Sequence, residues 1–72
     1  AHRRGREAQV AEALAAGAAA LDEVTARVYR DLASALIPAA RRNALAHLID
    51  LAERKLALAD PFPGPGALWS RP

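Results

Sequence analysis

LDEVTARVYRD (Leu21–Asp31) and PAARRNALAHLIDLAERK (Pro38–Lys55), joined by LASALI, read as a helix, a short connection and a longer helix. In the second stretch Ala44, Leu45, Leu48, Ile49, Leu51, Ala52 and Leu56 recur at helical spacing and form one broad apolar arc. Arg42, Asn43, Ala46, His47, Asp50, Glu53 and Arg54 fill the opposite arc, the division expected of an amphipathic helix. Pro38 suits the first helical position, where its missing N–H has no partner to lose. In the first stretch Leu21, Val24, Val28 and Leu32 share a face with Thr25 beside them. Asp22 and Glu23 lie in its first turn, where negative charge complements the helix dipole. Ala19 and Ala20 stand where a capping Ser, Thr or Asp is preferred, an omission that costs about 1 kcal/mol. Asp31 is expected to end this helix, with Leu32–Ile37 a short, partly buried connection.

Upstream, Arg3–Ala16 carries no breaker beyond Gly5 and ends at Gly17, a natural residue just past a helix. Val10, Ala13, Leu14 and Gly17 share one face, but that stripe runs back into Arg3, Arg6 and Glu7. The front of this helix is therefore not expected to pack on the core that holds its back. A solvated, frayed start fits this pattern, and so does a helix entering from a neighbouring domain. Downstream, the apolar runs Leu56–Ala59 and Ala67–Trp69 flank DPFPGPG (Asp60–Gly66), which points to a small β-hairpin. Pro61, Pro63 and Pro65 stiffen that loop and exclude a two-residue turn. The sum is a mainly α single domain, a three-helix winged helix-turn-helix with a short, irregular β-hairpin wing. Residues 1–17 form a connector helix, 21–31 and 38–56 the helix-turn-helix pair, and 57–72 the wing and tail.

The chain has 72 residues, enough for one small domain. A chain of this size buries only about 60% of its unfolded surface, so its margin of stability is thin. Abundant Ala favours helix but buries little area per residue. Without cysteine there is neither a disulfide staple nor a thiolate metal site. His2 and His47 stand apart and do not build a metal centre by themselves. Uncharged stretches such as Leu32–Ala40 fall far short of the about 20 apolar residues that span a bilayer. No secretory leader pattern is present, so no membrane partner and a cytoplasmic location are expected. The formal charge of +2, from 10 basic and 8 acidic side chains, is a weak signal for nucleic acid. A dedicated DNA-binding chain usually shows a larger and more clustered excess.

Groupings that carry catalysis are absent: no Gly-rich phosphate loop, no Ser/His/Asp or Cys/His set. Asp50 and Glu53 share a polar arc without the burial that would split their pKa values, and read as solvated carboxylates. The best candidate for an anion or nucleic-acid contact is the start and polar face of the third helix: Arg41, Arg42, Asn43, His47 and Arg54. Arg41 and Arg42 lie in its first turn, where the dipole disfavours cations unless an anion or carboxylate joins them. In a helix-turn-helix regulator this surface enters the major groove. Asp50 and Glu53 would meet phosphate there with the wrong sign, and the Arg41 stem leans over the apolar arc. A structural or domain-interface role is favoured over DNA readout. The basic cluster His2, Arg3, Arg4 and Arg6 suits phosphate, the acidic side chains of an attached domain, or solvent. A homodimer through Ile49, Leu56 and Trp69 is a further possibility, if those side chains are exposed.

Three short patterns in order bear a family resemblance. They are His-Arg-x-x-Arg-Glu at His2–Glu7, Val-Tyr-x-Asp at Val28–Asp31, and Ala-x-Arg-x-x-Leu-x-His-Leu at Ala40–Leu48. In their order and spacing they resemble the C-terminal winged-helix domain of metallo-β-lactamase-fold hydrolases, and the resemblance covers nearly the whole chain. The resemblance implies a non-catalytic accessory domain, with the catalytic domain preceding it on the same polypeptide and holding one or two zinc ions. None of the metal ligands maps onto this chain, so no cofactor is expected in it. The implied role is to pack beside the active-site mouth and shape substrate access. Some such hydrolases act on thioesters or lactams, others on RNA. His2, Arg3, Arg6 and Glu7 become the candidate domain interface. In the family the last helix usually runs into Glu-Gly-Arg before the wing. Here Arg54-Lys55-Leu56-Ala57 stands instead, so the wing is expected to depart from the pattern.

Overall fold

The computed structural model describes residues 2–72, with side chains from Gly5 onward. Its elements are α1 (His2–Ala15), β1 (Ala19–Ala20), α2 (Leu21–Val28), a 3-10 turn (Ser34–Leu36), α3 (Ile37–Glu53), β2 (Leu58–Asp60) and β3 (Leu68–Ser70). Among the described residues no helix is long and apolar enough to cross a membrane.

α3 buries Ala40, Ala44, Leu48 and Leu51 on one face, with Leu45, Ile49 and Ala52 half-buried beside them. It begins one residue before the expected start, so Pro38 takes the second helical position, still within the turn whose N–H groups are unpaired. Its end differs more. The helix stops at Glu53, because Lys55 adopts φ 61°. The Lys55 N–H then donates to Ala52 O at 3.0 Å and the Leu56 N–H to Leu51 O at 2.8 Å. This paired closure is a Schellman motif with lysine in the position that glycine usually fills. Leu56 thereby leaves the apolar arc and stands exposed, and Ala57 enters the core in its place.

α2 buries Leu21, Val24 and Thr25, and the Thr25 hydroxyl donates to Leu21 O at 2.8 Å. Ala20 precedes it without any side-chain cap, as expected. The helix ends at Val28 rather than Asp31. Tyr29 makes its last turn by donating to Thr25 O, and Asp31 takes φ 58°, a left-handed conformation that Asp tolerates better than most residues. The connection to α3 is also more open than expected. Leu32 is half-buried, but Leu36 and Ile37 are 54% and 44% exposed.

α1 stops at Ala15, and Gly17 follows at φ 126°, a conformation available to glycine. The end of α1 is closed from outside. Arg27 of α2 donates from Nη1 to Ala13 O and to Gly17 O, each at 2.9 Å, while its Nη2 meets Glu23 Oε2 at 2.6 Å. Unpaired carbonyls at a helix end are thus satisfied by a cation, which also suits the negative pole of the helix.

The sheet runs β1-β3-β2, antiparallel throughout. The hairpin of β2 and β3 is the expected wing, and its loop carries the three prolines. β1 is an addition that no alternation in the sequence announces. Trp69 lies opposite Ala19 on one side and Ala59 on the other, and its 0% exposure removes it from any dimer surface shared with Ile49 and Leu56. It fills the core with Val10, Leu14, Leu21, Val24, Leu48 and Leu51. Buried Ala13, Ala19, Ala44, Ala57 and Ala67 let the backbones approach it closely. The architecture is the mainly α, three-helix winged helix-turn-helix expected, with a wing of three short strands among the described residues.

Candidate functional site

Because α3 begins at Ile37, Arg41 and Arg42 fall in its second turn rather than its first, and Arg41 is already held by a carboxylate. Arg41 Nε donates to Asp22 Oδ1 at 2.6 Å, so a carboxylate from the first turn of α2 offsets a cation near the positive pole of α3. Asp22 is largely exposed and Arg41 partly so, and such a pair contributes about 0–1 kcal/mol. At the other end of α3, Arg54 meets Asp50 Oδ2 at 3.0 Å and also donates to Glu7 Oε1 of α1. The hydrogen bond that Arg54 donates to Glu7 is the main cause that raises the Arg54 pKa above its ordinary value, with Asp50 adding to it against partial desolvation. Arg42 and Asn43 project from the exposed arc, and His47 is half-buried there. The five residues therefore do not act as one basic stripe. Two of their three arginines carry carboxylates, and exposed Asp50 and Glu53 share the arc.

The polar front of α1 also finds partners inside the domain. The Arg6 guanidinium lies 4.5 Å from the centroid of the Tyr29 ring, and its Nη1 donates to Gln9 Oε1 at 2.7 Å. A cation over an aromatic face is worth about 0.5–1 kcal/mol at exposed sites. Glu7 holds Arg54. Arg6 and Glu7 thus meet the rest of the domain through charge and a π face rather than through the apolar core. Counting apolar spacing alone cannot register that. His2 and Arg3, the other two candidate interface residues, have side chains outside the described residues.

Arg27 carries no reading in the sequence, and Asp22 and Tyr29 are read there as a dipole complement and as part of a family pattern, not as site residues. The Glu23/Arg27 spacing of four was a visible signal for a helix-surface pair. Its reach to Ala13 and Gly17 depends on how α1 and α2 cross, which spacing does not reveal. A groove of about 540 Å³ runs between α2 and the start of α3, lined by Asp22, Thr25, Tyr29, Asp31, Leu32 and Ile37. It pairs no nucleophile with a base. Among the described residues, no three His, Cys, Asp or Glu side chains converge as a metal site would need.

A family model described as the beta-lactamase associated winged helix domain matches residues 20–61, from the end of β1 through α2, α3 and β2. The chain has no significant match among curated proteins or solved structures.

Proposed function

Because the chain belongs to the β-lactamase-associated winged-helix family, we propose that it serves as the non-catalytic C-terminal accessory domain of a metallo-β-lactamase-fold hydrolase. The observation that carries this reading is the family match over α2, α3 and β2. The reading assigns zinc to the linked domain, where the metal would activate water for attack on a carbonyl or phosphate ester.

What this chain contributes is shape and charge. α1 is the connector, and two contacts fix its angle against the helix pair: Arg6 on Tyr29, and Glu7 on Arg54. The wing and helix ends border the catalytic mouth and limit which substrates enter. The polypeptide works in the cytoplasm. The test is the residue sequence upstream of Ala1. A His-x-His-x-Asp-His run within about one domain length is expected, and an unrelated domain there would overturn the reading.

DNA readout by α3 has less support, since Asp22 and Glu7 occupy Arg41 and Arg54. Exposed Arg42 and Asn43 are what favours it, and duplex binding tests it as set out below.

A further inference from the structure

The outer face of the wing sheet exposes large apolar side chains beside Asp60 and Ser70, where a solvated sheet face is ordinarily polar. The register sends Ala19, Trp69 and Ala59 to one face and Ala20, Leu68 and Asp60 to the other, where Leu58 stands opposite Ser70. Leu58 and Leu68 are 52% and 48% exposed, and Phe62, in the loop joining their strands, is 69% exposed. The sheet edges do not account for these residues. β1 has two residues, and β2 runs straight into Pro61, which has no N–H to offer a further strand. The face itself is what stands open.

We propose that this face, built on Leu58, Leu68 and Phe62, docks the domain onto the linked β-lactamase-fold domain; the proposal rests on the accessory-domain reading above. Area decides between occupants. The three side chains with Ala20 present roughly 300–400 Å² of apolar surface, within the range of functional patches on single domains. A freely diffusing second copy needs about 800 Å² on each partner, of which about 450 Å² is apolar. Interfaces between domains of one chain use about 600–1,500 Å² counted over both surfaces, and the tether supplies the effective concentration that extra area would otherwise provide. The patch suits the tethered partner and is too small for the free one. Asp60 lies on the same face, opposite Leu68, and is exposed. The complementary surface is therefore an apolar patch bordered by a cation that meets Asp60.

Hydroxyl-radical footprinting of the full polypeptide tests this, with Leu36 and Ile37 in the α2–α3 turn as internal references. Docking predicts that Phe62, Leu58 and Leu68 react at least about five-fold more slowly than their exposure in the domain dictates, because an interface core excludes water. That protection should not change on dilution. The Leu68→Asp variant, altered at an outward position, should return Phe62 and Leu58 to the reactivity of Leu36. Free reactivity of the wing in the wild-type polypeptide would overturn the proposal, as would protection that Leu68→Asp leaves intact. Protection that fades on dilution would overturn it in favour of a second copy. Finding no β-lactamase-fold domain on the polypeptide would overturn the accessory reading as well. A freely reactive wing beside such a domain would leave that reading standing.

Discussion

Arg27 Nη1 donates to the main-chain oxygen of Ala13 at 2.9 Å, tying α2 to the last turn of α1 across fourteen residues of chain. The same nitrogen reaches Gly17 O, so one side chain satisfies carbonyls on both sides of the helix end. Replacing Arg27 with Ala should lower the stability of the domain by about 1.5–3 kcal/mol, the range for hydrogen bonds to a charged group. Arg27→Lys should recover part of this, because ammonium keeps the charge but lacks the planar fork. Urea denaturation of the two variants checks the order.

Trp69 is the one tryptophan of the chain and is fully buried. Among the described residues its Nε1 is the buried side-chain polar atom left without a hydrogen-bond partner. Trp69→Ala should cost about 3–5 kcal/mol and leave the domain largely unfolded. Trp69→Phe removes the unpaired donor together with some volume, and should cost less than about 1.5 kcal/mol. Circular dichroism melts distinguish the two outcomes. Wild-type fluorescence should be blue-shifted and move red on unfolding.

Lys55 and Gly17 form a contrasting pair of left-handed positions, with φ 61° and 126°. Lys55→Gly should stabilise the domain by about 0.5–1 kcal/mol by relieving the side-chain clash at the end of α3. Gly17→Ala should destabilise by about 1 kcal/mol or more. Space is not the reason, since a Cβ there meets nothing within 4 Å; the backbone angle is. Thermal midpoints should move in opposite directions.

The raised pKa of Arg54 carries a pH signature. A cation whose folded pKa exceeds its unfolded value contributes stability below the unfolded value and loses it as pH rises through the folded one. Both lie beyond the working alkaline range. The stability curves of wild type and Arg54→Met should therefore run parallel between about pH 8 and pH 10. Curves that converge in that interval would contradict the assignment.

Duplex DNA should bind weakly and with a shallow salt dependence. With Arg41 and Arg54 on carboxylates, few cations remain on α3 to release counterions. Arg42→Ala should leave the titration unchanged. A steep negative slope in log salt, reduced by that variant, would favour a DNA-reading role.

Much of this arrangement is legible in the sequence. The α3 arc, the stop at Gly17, the uncapped start of α2 and the proline-bound hairpin each follow from local spacing or backbone preference. What escaped depends on distant partners. β1 is two alanines with no pattern of their own, and becomes a strand because Trp69 and Leu68 lie alongside. Leu56 continues the α3 period in the sequence but is expelled by a lysine adopting glycine's conformation. At the candidate site, the need for a carboxylate near Arg41 could be read from the helix dipole. Which carboxylate supplies it, and that Arg6 rests on Tyr29, are matters of helix crossing.

β3 lies in the middle of the sheet although it comes last in the chain, beyond the matched span 20–61. A shorter version cut at those boundaries would omit the strand that both others clasp, and Trp69 with it. Such a truncation should be a collapsed, aggregation-prone intermediate. Completion of the domain must then wait until β3 has left the ribosome.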